Sequence, residues 1–470
     1  MFVAGVYLVL LTLLIFLVIR SDAIRLRCQL FSTRNFFLIG LVLFQSASGA
    51  VTLFMDETER GAELDSYTIP AIGFCIVLTV FIVLLLAMYR RAGWVERFAA
   101  RRSRIRMTSQ ARLVIAGLVL TAVGCVLRFA GNQVPYVAII LPQFAAGCLC
   151  GGVALVAMAW ARSAWNIFVA LMLALSLGSA AAVLLVDAFG RRELLGLMFS
   201  VVWALYHEKW RLMPVTKLLP RAAIAVSAAS FVLLIFSASR VGGENVDRSL
   251  GQQVQRIMSI DPRAVEEIVV ASVSGQFAGG ISMWIINERL VHGGYDPLHS
   301  LVYLVTLPIP RDFWPSKPEG LGLTVVREAS VSGVQDIFSW GPGLVGHMMN
   351  DVLFLSVPVY ALLLAWGLKY MDTRTSLSTR DPITIALFGS ALGQLLGMPR
   401  GDVGLFAFNM LAAYLGVWIF GRLVGAMFLP YDRQAEWEAT FETDVADEAS
   451  ADEDLEPAFE EPMAESQGSR

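Results

Sequence analysis

The chain has 470 residues, 56% of them hydrophobic and only 16% charged, with a formal net charge of −3 and a mean hydropathy of +0.64. Apolar runs of about 20 residues recur along it, the length a helix needs to cross a bilayer, which excludes a soluble globular enzyme. Runs such as Ile69 to Tyr89 are continuous rather than alternating, which excludes a transmembrane β-barrel. The expected fold class is all-α, a polytopic membrane helix bundle.

In chain order, hydropathy predicts spans at Phe2 to Ile19, Phe36 to Phe54, Ile69 to Tyr89, Leu113 to Phe129, Tyr136 to Trp160, Trp165 to Val186, Leu194 to Tyr206 and Ala222 to Ala238. After a long polar interval come Val352 to Met371, Ile383 to Met398 and Val403 to Phe428, for about eleven transmembrane helices with the seventh short. The expected organisation is an N-terminal transmembrane bundle over 1–238, a large helical outer loop over 239–351, C-terminal transmembrane helices over 352–430 and a tail over 431–470. That tail holds fourteen acidic against two basic side chains, so the rest of the chain carries about +9; it reads as solvated and disordered.

Basic residues sort by loop. Arg20, Arg25, Arg27 and Arg34 follow the first span, eight arginines lie between Arg90 and Arg112, and Lys209, Arg211 and Lys217 follow the seventh. The positive-inside rule makes these loops cytoplasmic, which puts the N-terminus and the 239–351 loop outside and the C-terminus inside. In a bacterial cell this is the inner membrane, with the loop in the periplasm. Met1 to Ile19 has no basic leading region and no small-residue cleavage site, so it reads as a retained anchor.

Cys75, Cys125, Cys148 and Cys150 lie in or beside apolar spans, Cys28 lies in an inner loop, and the outer loop has none, so no disulfide framework is expected. The histidines His207, His292, His299 and His347 lack metal-ligand spacing. Metal-independent chemistry with no cofactor is therefore expected. There is no Walker loop and no GxGxxG turn, and the span centres are nearly free of charge, unlike the pathways of ion-coupled transporters.

Polar function gathers in the outer loop. Ala264 to Val291 carries apolar residues at roughly helical spacing around Glu266, Glu267, Glu288 and Arg289, predicting amphipathic helices resting on the membrane face. Leu298 to Pro308 is apolar but too short to span, so an interfacial or re-entrant element is expected. It leads into Ile309 to Pro318, IPRDFWPSKP, where three prolines restrict the backbone and should hold Arg311 and Lys317 in place. Further on come Arg327, Glu328, Asp336, Trp340 and His347. Across the bundle, Gly190-Arg191-Arg192-Glu193 stands at the outer entrance of the seventh span and Pro399-Arg400-Gly401-Asp402 forms the turn between the last two. Three separate outer sites thus present arginine, whose planar fork donates paired hydrogen bonds to a diphosphate and cannot lose its charge.

These residues resemble the Wzy-type O-antigen and oligosaccharide repeat unit polymerases. The similarity rests on the many spans, a large late outer loop and a Pro-Arg-x-aromatic-Trp-Pro-x-Lys-Pro segment, matched by Pro310, Arg311, Phe313, Trp314, Pro315, Lys317 and Pro318. A Gly-x-Arg before an apolar span is matched by Gly190 and Arg192. Where the family often has a Gly-Glu step before the span that follows the loop, this chain has Gly346-His347.

The resemblance implies a fold similar to the GT-C membrane glycosyltransferases and repeat units carried on undecaprenyl pyrophosphate as substrate. It implies partners in the same pathway, a chain-length regulator and a flippase, besides the lipid bilayer, and no nucleic acid. The implied chemistry is attack of a sugar hydroxyl on the anomeric carbon of the growing glycan, with release of undecaprenyl pyrophosphate.

On that reading Arg311, with Arg192, Arg400 and Arg327, binds the pyrophosphate. Lys317 serves the phosphate or the segment's own fold, and His347 is the candidate base with Asp336 or Glu328 in reserve. Trp314 and Phe313 stack on sugar faces or belong to an interfacial aromatic belt. Two other readings compete: a flippase of lipid-linked oligosaccharides, whose inverted repeats and broken helices are not evident at matching positions, and an O-antigen ligase, which differs only in acceptor.

Overall fold

The computed structural model describes residues 1–25, 30–55, 66–100, 108–131, 139–163, 166–186, 191–214, 216–218, 220–225, 227–228, 278–329, 340–377 and 381–430, with a few isolated residues between them. The chain is an all-helical polytopic membrane bundle. Among the described residues eight helical stretches are long and apolar enough to cross a bilayer. Of the eleven expected spans, the seventh forms a helix, Arg191–Glu208, that is not among those eight. The tenth divides into two short helices, and Ala222 to Ala238 lies mostly outside the described residues, as does the tail 431–470.

The first half of the bundle comprises α1 (Phe2–Arg25), α2 (Thr33–Leu41), α3 (Ser48–Met55), α4 (Thr68–Arg91), α5 (Gly93–Ala100), α6 (Gln110–Gly131), α7 (Leu141–Arg162), α8 (Ile167–Val186) and α9 (Arg191–Glu208). Helix α7 is its centre, buried along most of its length and packed on α6, α8 and α9. Its run of Ala, Gly and Cys is the reason: small side chains let backbones approach where no water drives association. A β-carbon at Gly147 would lie 2.3 Å from the Ala413 carbonyl, so a helix from the far end of the chain sits directly against it. By contrast α1 and α8 leave most of their apolar surface unpacked, as lipid-facing helices do.

After the undescribed interval come α10 (Ala278–His292), α11 (His299–Thr306), α12 (Leu321–Glu328), α13 (Gly343–Val352), α14 (Ser356–Leu377), α15 (Pro382–Gly389), α16 (Leu392–Gly397) and α17 (Val403–Phe428). Helix α10 corrects one expectation. Instead of resting on the membrane face, Ala278 to Ile286 are buried against α3, α4 and α13. The Gly279 backbone meets Gly49, where a β-carbon would lie 2.4 Å from the Gly49 nitrogen. Of the charged pair that made the stretch look amphipathic, Glu288 is half-buried and Arg289 is buried with the rest.

Helical geometry also departs from the regular α form within or at the edge of three expected spans. Between α2 and α3 a π-helical stretch, Val42–Ala47, widens the helix and turns buried Gln45 toward the turn at Pro399, whose carbonyl accepts from Gln45 Nε2 at 2.6 Å. Leu353, at φ 53°, breaks α13 from α14, and Ser390 and Ala391 separate α15 from α16.

At the opposite end, buried Asp372 ties three helices together. It accepts from Thr33 N at 2.6 Å, Thr33 Oγ1 at 2.7 Å and Tyr89 Oη at 2.8 Å, so it satisfies the otherwise orphaned first turn of α2.

Candidate functional site

The proline-rich segment after α11 folds as consecutive turns. Phe313 N donates to Pro310 O at 3.1 Å and Lys317 N to Trp314 O at 3.2 Å. Fixed proline torsions make these turns inexpensive to order. The two cations of the segment then part company. Lys317 is 7% exposed and curls back to donate from Nζ to Leu307 O at 3.2 Å and Ile309 O at 2.6 Å. Burial, followed by the neighbouring Arg311, pulls its ammonium below the ordinary lysine value. Of the two roles open to Lys317, the geometry is that of the segment's own fold.

Arg311 remains about half exposed. Its Nη1 donates to Pro315 O at 3.2 Å, and its Nη2 lies 3.5 Å from a Glu319 oxygen. The other Glu319 oxygen accepts from Arg327. One carboxylate is therefore shared by two guanidinium groups, both facing solvent. Trp314 donates from Nε1 to Ser316 Oγ at 3.1 Å, and Phe313 lies on the same surface, 69% exposed.

Beneath this segment lies the turn that opens α17. Asp402 caps the helix: Oδ1 accepts from Gly404 N at 3.1 Å and Leu405 N at 3.3 Å, as an N-cap aspartate does. Its other oxygen, Oδ2, is buried with no hydrogen-bond partner. Gly320 lies over it. A β-carbon there would come within 2.8 Å of Oδ2 and 3.3 Å of the Tyr303 hydroxyl, so a side chain at 320 would fill the space between segment and carboxylate. Burial first, then the Asp402 charge, pushes the Tyr303 phenol up to about 12, with Arg311 acting in the opposite direction. Tyr303 is thus a protonated donor beside an open carboxylate oxygen.

Arg192 and Arg400 stand on the same turn from different sides. The Arg192 guanidinium lies 4.2 Å from the Phe406 ring centroid, in the first turn of α17. Burial pulls Arg192 down from the usual guanidinium value, while Glu193 and Asp402 oppose that. Its position is set by backbone contact, since the Arg192 carbonyl packs on Gly393 of α16. The Arg400 backbone packs on Gly341, and its guanidinium points toward Phe44, 6.0 Å from that ring. Asp402 is therefore the charge that both Arg192 and Tyr303 sense, while Arg400 is aimed at the π-helical stretch.

Of the expected acid–base residues, His347 lies against the same turn, its Nε2 3.8 Å from Asp402 Oδ1, and Glu328 falls elsewhere. His347 is fully buried, with Nδ1 hydrogen-bonded to Ser300 Oγ at 2.6 Å and Nε2 accepting from Val403 N at 3.2 Å. An imidazole that accepts at Nε2 and donates at Nδ1 is neutral and fully engaged, so it has no free nitrogen for an acceptor's proton in this arrangement. His347→Gln, which can preserve one acceptor and one donor, is therefore expected to keep at least about a tenth of wild-type activity, whereas loss of a true base costs about 10²–10⁴-fold; single-turnover rates distinguish the two. Glu328 is bound by Arg289 Nη2, at 3.0 Å to one oxygen and 2.8 Å to the other. Arg289 Nε also donates to Asn350 Oδ1 at 2.9 Å, so Glu328 belongs to a clamp between α10, α12 and α13. Asp336 and Gly190 lie outside the described residues.

Sequence reasoning assigned no role to Tyr303, Glu319 and Asp402. Asp402 carried the one available signal, an acidic residue directly before an apolar run and two positions after a candidate arginine. Tyr303 sat within an apolar stretch and gave none. Among the described residues, no group of three or more His, Cys, Asp or Glu is placed to hold a metal ion. Comparison of the chain with family models, characterised proteins and solved structures returns no match.

Proposed function

We propose that the protein is a membrane glycosyltransferase that joins oligosaccharide repeat units carried on undecaprenyl pyrophosphate, working on the periplasmic face of a bacterial inner membrane as a Wzy-type polymerase does. The observation that carries the reading is the shared Glu319 carboxylate. Two solvent-facing guanidinium groups, Arg311 and Arg327, already hold an anion between them at one end of an all-helical membrane bundle, and a diphosphate offers the same oxygens with more charge.

In this reading Arg311 and Arg327 take the donor diphosphate, and Arg192 adds positive charge from behind Phe406. Trp314 and Phe313 flank the anion site on the exposed surface, where a sugar face can stack. The leaving diphosphate supplies the driving force. The arginines stabilise the charge that grows on its departing oxygen, which is the effect that most often dominates such catalysis.

A second reading has one observation in its favour. The helix interruptions at Leu353 and at Ser390–Ala391 are of the kind transporters use to line a substrate path, so a flippase of the same lipid-linked glycan is the competing function. Purified protein incubated with one defined undecaprenyl-pyrophosphate-linked repeat unit separates the two: glycan at multiples of the repeat mass is expected by mass spectrometry. Transbilayer movement in proteoliposomes without any longer product would replace the polymerase with the flippase. Transfer to a lipid A core instead of to a second repeat unit would make it a ligase.

A further inference from the structure

Asp402, like Asp351, is a buried carboxylate with one oxygen left open. One oxygen is used as a helix cap, while the other is buried without a partner in a side chain that is nine-tenths buried. A buried acceptor left open costs about 1–3 kcal/mol, more when charged, so folded proteins rarely keep one that nothing occupies. Around Oδ2 stand a protonated phenol, Tyr303, and the side-chain-free backbone of Gly320, while the neutral His347 faces the capping oxygen, its Nε2 3.8 Å from Oδ1. That environment suits a hydroxyl group, which can donate to Oδ2 while its oxygen accepts from Tyr303.

Resting on the glycosyl-transfer reading above, we infer that Asp402 is the group that receives the proton of the attacking sugar hydroxyl, and that donor binding uncovers it. In the step, the acceptor oxygen forms its bond to the anomeric carbon of the donor glycan. The bond from that carbon to the diphosphate oxygen breaks, and its electron pair leaves with the undecaprenyl pyrophosphate. The hydroxyl proton passes to Asp402 Oδ2 and is lost to water afterwards.

The uncovering follows from chain order. Gly320, which lies over Oδ2, directly follows Glu319, which Arg311 and Arg327 hold. A diphosphate that takes those two guanidinium groups displaces Glu319, and the adjoining glycine loses the contacts that keep it on Asp402. Donor therefore binds before acceptor, and the carboxylate opens only when there is a glycan to transfer.

The test uses the purified full chain with an undecaprenyl-pyrophosphate-linked repeat unit, alongside Asp402→Asn and Asp402→Ser. Both replacements are good helix caps, so thermal midpoints near wild type are expected. The rate of extension should fall by about 10²–10⁴-fold while the KM for the donor changes less than about threefold. Glu319→Gln, which weakens the resting contact, should lower the donor KM. Extension by Asp402→Asn within tenfold of wild type, or a loss matched by loss of donor binding, overturns the role of Asp402. An unchanged or higher KM in Glu319→Gln overturns the uncovering. If wild type extends no glycan at all, the polymerase reading has failed and this inference falls with it, whereas extension by both wild type and Asp402→Asn removes only the inference.

Discussion

Arg311→Ala is expected to slow glycan extension by about 10²–10⁴-fold, because under the proposed function two charge-assisted hydrogen bonds to the diphosphate would contribute about 1.5–3 kcal/mol each. Arg311→Lys is expected to recover little, remaining at least about tenfold below wild type, since an ammonium is a point charge and cannot donate two parallel bonds. In cells that lack the native gene, both variants should leave the glycan at one repeat per lipid carrier. The fold should survive. Arg311 is about half exposed, and its contacts are one carbonyl and one carboxylate on its own segment, so the thermal midpoint should move little. The nearby Lys317, which closes the turns from inside, gives the contrasting case of a cation whose loss would disturb the segment itself. A full-length glycan ladder from Arg311→Lys would reduce Arg311 to a generic positive charge and would remove the main support for diphosphate binding.

The second large effect comes from a residue with no chemistry of its own. At Gly393 a β-carbon would lie 2.2 Å from the Arg192 carbonyl and 2.7 Å from the Gly196 nitrogen. Both are backbone atoms of α9 and cannot rotate away, so Gly393→Ala must push α16 from α9. Overpacking of this kind costs about 1–3 kcal/mol, and often more where backbone must shift. The displaced residue is Arg192, so activity should fall together with the thermal midpoint. Gly178→Ala in α8, where nothing lies within 4 Å of the new carbon, should leave both unchanged and serves as the control. Wild-type stability and extension in Gly393→Ala would show that α9 and α16 can separate freely, and Arg192 would then not be held in place by its backbone.

Much of the fold was legible because bilayer insertion is decided by local composition. The helices α1, α4, α6, α8 and α17 begin and end within a few residues of the apolar runs that announced them. The reading failed where neighbours decide. Ala278 to His292 reads as a surface helix because Glu288 and Arg289 make one end polar, yet Arg289 is buried against Glu328 and Asn350. Its apolar residues face α3, α4 and α13 instead of lipid. Likewise, Ile383 to Met398 reads as one span. Its glycines at 389 and 393 are spaced for close contacts with Trp203 and Arg192, and the helix breaks between them.

The site divides in the same way. The sequence alone established that arginines recur between spans and that a proline-stiffened segment presents one of them, because proline torsions and arginine charge are properties of single residues. It also placed His347, Lys317 and Glu328 among the candidates, since their residue types suit the chemistry. Only the tertiary structure decided that His347 and Lys317 are consumed by internal hydrogen bonds, that Glu328 is held by Arg289, and that Tyr303, Gly320 and Asp402 meet. The reason is separation along the chain. Position 303 and position 402 are far apart in sequence, and their contact depends on α11 packing against α17. A pairing of that kind is fixed by the energy of the whole packed bundle, which no local pattern of residue types encodes.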